Sequence, residues 1–259
     1  MRILFFGDIV GHAARELLIE SAAEIREREK IDFVIANADN AAHGFGLVPS
    51  IADRLFKVVD VLTAGDHAWD QPSIRPYIKD RPRLLRPANY GAVAEGRGHC
   101  AYDARGGRIA VVHLLGRLFM TRDRVSSPFE AADEILRGYK LGGNVDAIFV
   151  DFHAEATSEK ISLAHYLDGR VSALIGTHTH VPTADARILP GGTAFLTDAG
   201  MCGVFDSSIG MEKSACVRRF LDAADTGRLV PADGEPTLCG AIVDTAARSI
   251  RQVFFGHKF

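Results

Sequence analysis

The chain is poor in cysteine. It has four, Cys100, Cys202, Cys216 and Cys239, and no two are close enough for a CxxC metal or redox site. They read as reduced thiols, which excludes a disulfide scaffold and points to a cytoplasmic protein. Long apolar runs are missing too. No stretch approaches the ~20 residues that span a bilayer, so no membrane partner is expected. The run in "MRILFFGD" is closed by Asp8 and is too short for a signal h-region. Neither sign of charge dominates. Thirty Lys and Arg against 33 Asp and Glu, a formal net charge of -3, leave no electrostatic footprint for stable nucleic-acid binding. Low-complexity tracts, charge blocks, repeats and linkers are absent, so a single domain over residues 1–259 is expected.

What is present is a recurring physical pattern. Short apolar runs alternate with helix-like segments. "RILFF" (2–6), "DFVIA" (32–36), "DVLTA" (60–64), "DAIFV" (146–150) and "VSALI" (171–175) show little polar alternation, as strands covered on both faces do. Between them, residues 13–29 place Leu17, Leu18, Ala22 and Ile25 at helical spacing. "SPFEAADEIL" opens with Ser127, Pro128 and Glu130, a capping box with proline at the first helical position. Residues 157–167 and 211–222 are also helix-like. The tail differs, because 237–244 and 250–255 read as consecutive antiparallel strands. The class is therefore α/β, with two packed sheets and helices outside.

Each of the five runs ends in polar residues. Gly7-Asp8 follows the first, Asp39 and Asn40 the second, and Asp66-His67 the third. His153 follows the fourth, and His178 and His180 the fifth, within "GTHTH". Sites in α/β sheets form beyond the carboxyl ends of strands, so these side chains are expected on one rim. Residues i and i+2 of an extended chain share a side, so His178 and His180 can face one site. A lone strand-end His or Asp is usually a satisfied structural residue or a helix cap. Five such ends in one chain are hard to reach by independent accident. Carboxylate, amide and imidazole donors without thiolate suit iron, manganese, zinc or cobalt. Their number suits two ions sharing a carboxylate and a bridging hydroxide, which is a device for phosphoester hydrolysis.

"GD", "GDH", a later lone His and "GTHTH" resemble the calcineurin-like metallophosphoesterase superfamily. "VDFHAEATSEK" (150–160), "GTHTHVPTAD" (176–185), "ILPGGTAFLTDAGMCG" (188–203), "LLRPANY" (84–90) and "LLGRLFM" (114–120) more closely resemble the YmdB-like bacterial cyclic-nucleotide phosphodiesterases, over nearly the whole chain. The resemblance implies a four-layer αββα sandwich of two mixed sheets and a dinuclear centre, with iron or manganese expected and zinc an alternative. Carried over by position, Asp8, Asn40 and His180 hold one ion. Asp66, His153 and His178 hold the other, and Asp39 bridges. His67 is then no ligand but the general acid that protonates the leaving oxygen.

The implied reaction is hydrolysis of small phosphodiesters, 2′,3′-cyclic or 3′,5′-cyclic nucleotides, by the bridging hydroxide, in a homo-oligomer. The alternatives are a metal- or nucleotide-binding regulator with little turnover, or a phosphomonoesterase such as a nucleotidase. The chain departs from the family where Asp39 replaces the usual Glu and Asp66 the usual Asn. The first side chain is about one C–C bond, ~1.5 Å, shorter; the second adds a negative charge. His43 replaces a usual Gly and His113 a usual Asn. His43 reads as a solvated loop residue, a phosphate contact or an extra ligand, and His113 as a structural residue or one that orients a ligand. Arg117 and Lys160 are read as surface charges or phosphate contacts.

Overall fold

The run Arg2–Phe6 forms strand β1, and its side chains divide between two cores. Ile3 and Phe5 enter one; Leu4 and Phe6 enter the other. That division is why the strand runs show no polar alternation: both faces are buried. The computed structural model describes residues 1–90, 94–120, 125–222, 224 and 227–257. Along the chain follow β2 (Asp8–Ile9), α1 (Gly11–Arg28), β3 (Phe33–Asn37), α2 (Pro49–Leu55), β4 (Val61–Thr63), α3 (Ile74–Ile78) and β5 (Leu84–Leu85). Next come β6 (His99–Ala104), β7 (Gly107–Leu115), α4 (Pro128–Leu136), β8 (Ala147–His153), α5 (Thr157–Tyr166) and β9 (Ala173–Thr177). The chain then forms β10 (Arg187–Ile188), β11 (Ala194–Leu196), β12 (Met201–Val204), α6 (Lys213–Leu221), β13 (Pro236–Asp244) and β14 (Ser249–Gly256).

Two sheets form among the described residues. The first runs β2-β12-β13-β1-β3-β4-β5, with β14 also on β13; the second runs β10-β11-β9-β8-β7-β6. Both are mixed. β1, β3, β4 and β5 are parallel, while β13 pairs antiparallel with β1, β12 and β14. In the second sheet β7, β8, β9 and β11 are parallel and the edge strands antiparallel. The tail strands expected at 237–244 and 250–255 are β13 and β14, antiparallel as expected.

The two sheets pack face to face over Ile3, Phe5, Ile35, Val111, Phe149 and Ile175, with the rings of Phe5 and Phe149 5.1 Å apart. Helices α1, α2 and α3 cover the outer face of the first sheet through residues such as Leu18, Leu55 and Ile74. Helices α4 and α5 cover the second through Ile135 and Leu163. The result is the four-layer αββα sandwich that the resemblance implies. Helix α4 carries the expected cap: Pro128 sits in its first turn, and Ser127 Oγ accepts from the Glu130 N–H at 3.4 Å.

Because Phe149 is buried where both sheets meet, Phe149→Ala should cost about 3–5 kcal/mol of stability. Equilibrium unfolding in guanidinium checks this. A loss below about 1 kcal/mol, the size of an average substitution, would contradict a shared, close-packed core.

Candidate metal centre

Parallel neighbours end on the same side of a sheet, so β1, β3 and β4 deliver Asp8, Asp39 and Asp66 to one rim. In the second sheet β8 ends at His153, and β9 is followed at once by His178. The carboxylates thus come from one sheet and the imidazoles from the other, and they meet where the carboxyl ends face each other. His153 is central. Its Nε2 lies 3.1 Å from Asp66 Oδ1, 3.1 Å from His178 Nδ1 and 3.5 Å from Asp39 Oδ2. Its Nδ1 lies 3.5 Å from Asp8 Oδ1 and 3.0 Å from Thr177 Oγ1. Donor atoms gather within 4.8 Å of one another in three overlapping groups: Asp66, His153, His178; Asp8, Asp39, His153; and Asp39, Asp66, His67. Gly65 makes room for this packing, since a Cβ there would stand 2.4 Å from His153 Nε2.

Asn40 and His180 form a second pair. His180 Nδ1–H donates to the Ile209 carbonyl at 2.7 Å, and Asn40 Nδ2 donates to the Gly44 carbonyl at 3.0 Å. The remaining atoms, His180 Nε2 and Asn40 Oδ1, face each other at 3.1 Å. Burial lowers the His180 pKa, so its Nε2 carries a lone pair at neutral pH. Two lone pairs facing each other fit a cation between them. Among the described residues no hydrogen-bond donor meets buried Asp8 Oδ1.

The electrostatics point the same way. Burial, then the charge of Asp198, raises the Asp8 pKa to about 8. Burial and the charges of Asp66 and Asp8 push Asp39 well above the usual carboxylate range. Burial opposes the charge of Asp66 too, but hydrogen bonds from His153 and His178 outweigh it and hold that carboxyl low. Burial lowers His153 to about 3. His178 is raised: burial works against its charge, and contact with Asp66 overcomes it. Carboxyls crowded in a buried pocket, with neutral His153 and His180 beside them, match what a di- or trivalent cation requires.

The sequence matches the family described as YmdB-like protein over residues 4–254. The chain belongs to the YmdB-like family. It is 43% identical over 245 residues to a 2′,3′-cyclic-nucleotide 2′-phosphodiesterase of Bacillus subtilis, covering 94% of this chain and 91% of that one. Its fold superposes on a hypothetical protein from Thermus thermophilus with a TM-score of 0.92, 37% identity and full coverage of both chains. A phosphatase from Mycoplasma pneumoniae gives 0.88 at 31% identity, over 99% of this chain and 93% of that one. The architecture is therefore the calcineurin-like metallophosphoesterase fold.

In this YmdB-like chain the other predicted residues divide clearly. His67 stands at the rim: its backbone N–H donates to Asp39 Oδ1 at 2.9 Å, its Nδ1 meets Asp70 Oδ2 at 2.7 Å, and Phe45 packs edge-on 5.2 Å away. His113 is fully buried: its nitrogens lie 3.1 Å from the carbonyls of Asp151 and Ala64, its Nδ1 is also 3.2 Å from Asp151 Oδ2, and its ring packs edge-on 6.3 Å from that of His153, so it stands behind the site. Lys160 is no phosphate contact: it is completely buried and paired with Asp198 at 2.7 Å. Arg117 and His43 are exposed.

Four acidic residues were missed. Asp70 orients His67, and Glu155 lies 3.3 Å from His178 Nε2. Buried Asp151 accepts from Thr63 at 2.6 Å, Thr177 at 2.7 Å and Asn37 at 3.0 Å, tying β4, β9 and β3 together beneath the site. Asp198 lies beside the histidine loop. Only Asp151 left a signal: it shares a strand face with His153, two residues on.

The titrations carry a sign. Asp8 binds a proton in the fold up to about pH 8, while an unfolded Asp has lost its own above 3.8. Raised His178 acts in the same direction, and the lowered His153 acts only below its usual 6.5. Metal-free protein should therefore lose stability as pH rises from about 6.5 to about 8. The rise in Tm on adding Mn²⁺ should grow over the same window, because a cation displaces those protons. Thermal unfolding with and without Mn²⁺ tests both, and a pH-independent Mn²⁺ effect would refute the assignment.

Proposed function

We propose that the chain is a metal-dependent phosphodiesterase of small cyclic nucleotides, with 2′,3′-cyclic nucleotides as the first substrate class and 3′,5′-cyclic nucleotides as the second. The observation that carries this is the buried meeting of Asp8, Asp39 and Asp66 with His153 and His178, joined by the lone-pair face of Asn40 and His180. Likeness to the Bacillus subtilis phosphodiesterase supports the substrate class. Asp8, Asn40 and His180 would hold one ion, Asp66, His153 and His178 a second, with Asp39 between them; iron or manganese suits the donors best, and zinc is the alternative. Bound there, such ions would neutralise phosphodiester charge and make water a nucleophile near neutral pH.

The chain's own residues supply the rest. His67 sits at the rim with its side chain 13% exposed, open to a substrate alongside His178, while Asp8, Asp39 and His153 lie buried beneath. With Nδ1–H donated to Asp70, its Nε2 is left to pass a proton to the departing ribose oxygen. Asp70, by accepting from Nδ1, fixes the orientation of the ring. The tie from the His67 amide to Asp39 keeps the acid in register with the pocket. A protein that only binds nucleotides has no need of this His–Asp pair, which favours turnover over a purely regulatory role.

His67→Ala should lower turnover of 2′,3′-cyclic AMP by about 10²–10⁴-fold while Mn²⁺ stoichiometry is kept. Hydrolysis of bis-p-nitrophenyl phosphate, whose leaving group needs no proton, should fall far less. Equal losses on both substrates would remove the acid role from His67.

A further inference from the structure

The loop after β9 is awkwardly built. His178 and His180 both adopt left-handed backbone conformations, with φ of 101° and 66°. Non-glycine residues avoid that region unless the surroundings enforce it. Both imidazoles reach the metal centre from this loop, so whatever holds it sets their aim.

The residue between them shows what holds it. Thr179 donates from its backbone N–H to Asp198 Oδ2 at 3.2 Å and from its hydroxyl to the same oxygen at 2.8 Å. The second carboxylate oxygen, Oδ1, accepts from the Gly200 N–H at 2.8 Å. Asp198 is fully buried, and so is its counter-ion, Lys160 of α5, at 2.7 Å. Lys160 reaches Asp198 past Gly176, where any Cβ would crowd its stem at 2.9 Å and the Thr197 carbonyl at 1.8 Å. A buried ion pair is an inefficient way to gain stability, because an apolar pair of the same volume does at least as well. This pair directs the remaining acceptor capacity of its carboxylate to backbone and hydroxyl groups of two loops instead.

We propose that Asp198, neutralised by Lys160, is a positioning residue: by clamping Thr179 it holds His178 and His180 in the strained conformation that presents both rings to the metals. This rests on the metal assignment above. It says that the clamp, and not only the ligands, determines metal affinity.

The test uses the full chain stripped of metal, with Thr179→Val, Thr179→Ser and Asp198→Asn. Mn²⁺ binding is followed by calorimetry, and backbone hydrogen exchange of residues 177–181 is measured in the metal-free state. Thr179→Val should bind Mn²⁺ about 10–100-fold more weakly, the usual scale for losing a group that orients a ligand. Its loop should exchange faster, with the Tm of the metal-free chain little changed. Thr179→Ser, which keeps the hydroxyl, should behave as the parent does. Asp198→Asn should follow Thr179→Val; if it does not fold, Thr179→Val decides alone. When the parent binds Mn²⁺, an unchanged affinity or an unchanged exchange rate in Thr179→Val overturns the proposal. If the parent binds no Mn²⁺, the metal assignment fails by itself. Loop exchange then judges the clamp: faster exchange in Thr179→Val upholds it and an unchanged rate overturns it.

Discussion

Three carboxylates buried within reach of one another are the constraint around which this molecule is organised. Asp8, Asp39 and Asp66 are almost wholly removed from water; burial, with the charge of Asp198 acting on Asp8 and those of Asp66 and Asp8 acting on Asp39, drives Asp8 and Asp39 to hold protons. Such an arrangement is unfavourable unless a cation shares the pocket. The surroundings are consistent with that requirement. His153 and His180 are kept neutral by burial, so they offer lone pairs. Gly65 lets the His153 ring approach, and Asp151 ties three strands beneath it.

The sandwich explains how chemically unlike donors arrive at one place. Among the proposed ligands the carboxylates follow the parallel strands β1, β3 and β4, and the imidazoles come from the ends of β8 and β9. The apolar contact between the sheets, with Phe5 against Phe149, sets the distance between acid and base. The centre is therefore a property of how the sheets pack and not of either sheet alone. Burial on both faces also makes the framework rigid, which suits ligands that must keep a fixed geometry.

Half of the described strands, and two packed sheets with helices outside, were legible in the residues. Period and length sufficed for β1, β3, β4, β8 and β9, for α1 and α4, and for the antiparallel tail, because each has a strong local signature. Short strands were not. β2, β5 and β10 have two residues each, too few to show any period, and exist because a neighbour is already in place. Among side chains, the histidines and acids at strand ends stood out by type and position. Lys160 looked like surface charge and lies fully buried, because only the fold brings Asp198 to it across 38 residues. His113 could be read as a structural or an orienting group, and only the fold shows that it meets the carbonyls of Asp151 and Ala64 and the Asp151 carboxylate behind His153.

The sequence by itself determined which chemical groups are available, that they follow apolar strands, and that no cysteine or charge excess serves another purpose. Those are local facts, carried by residue type and period. The tertiary structure alone decided that acids and imidazoles face each other across two sheets, that His180 and Asn40 turn lone pairs together, and that Asp198 meets Lys160 and Thr179. Such relations depend on the direction of a donor atom and the absence of water around it, and neither exists until the two sheets have closed on each other.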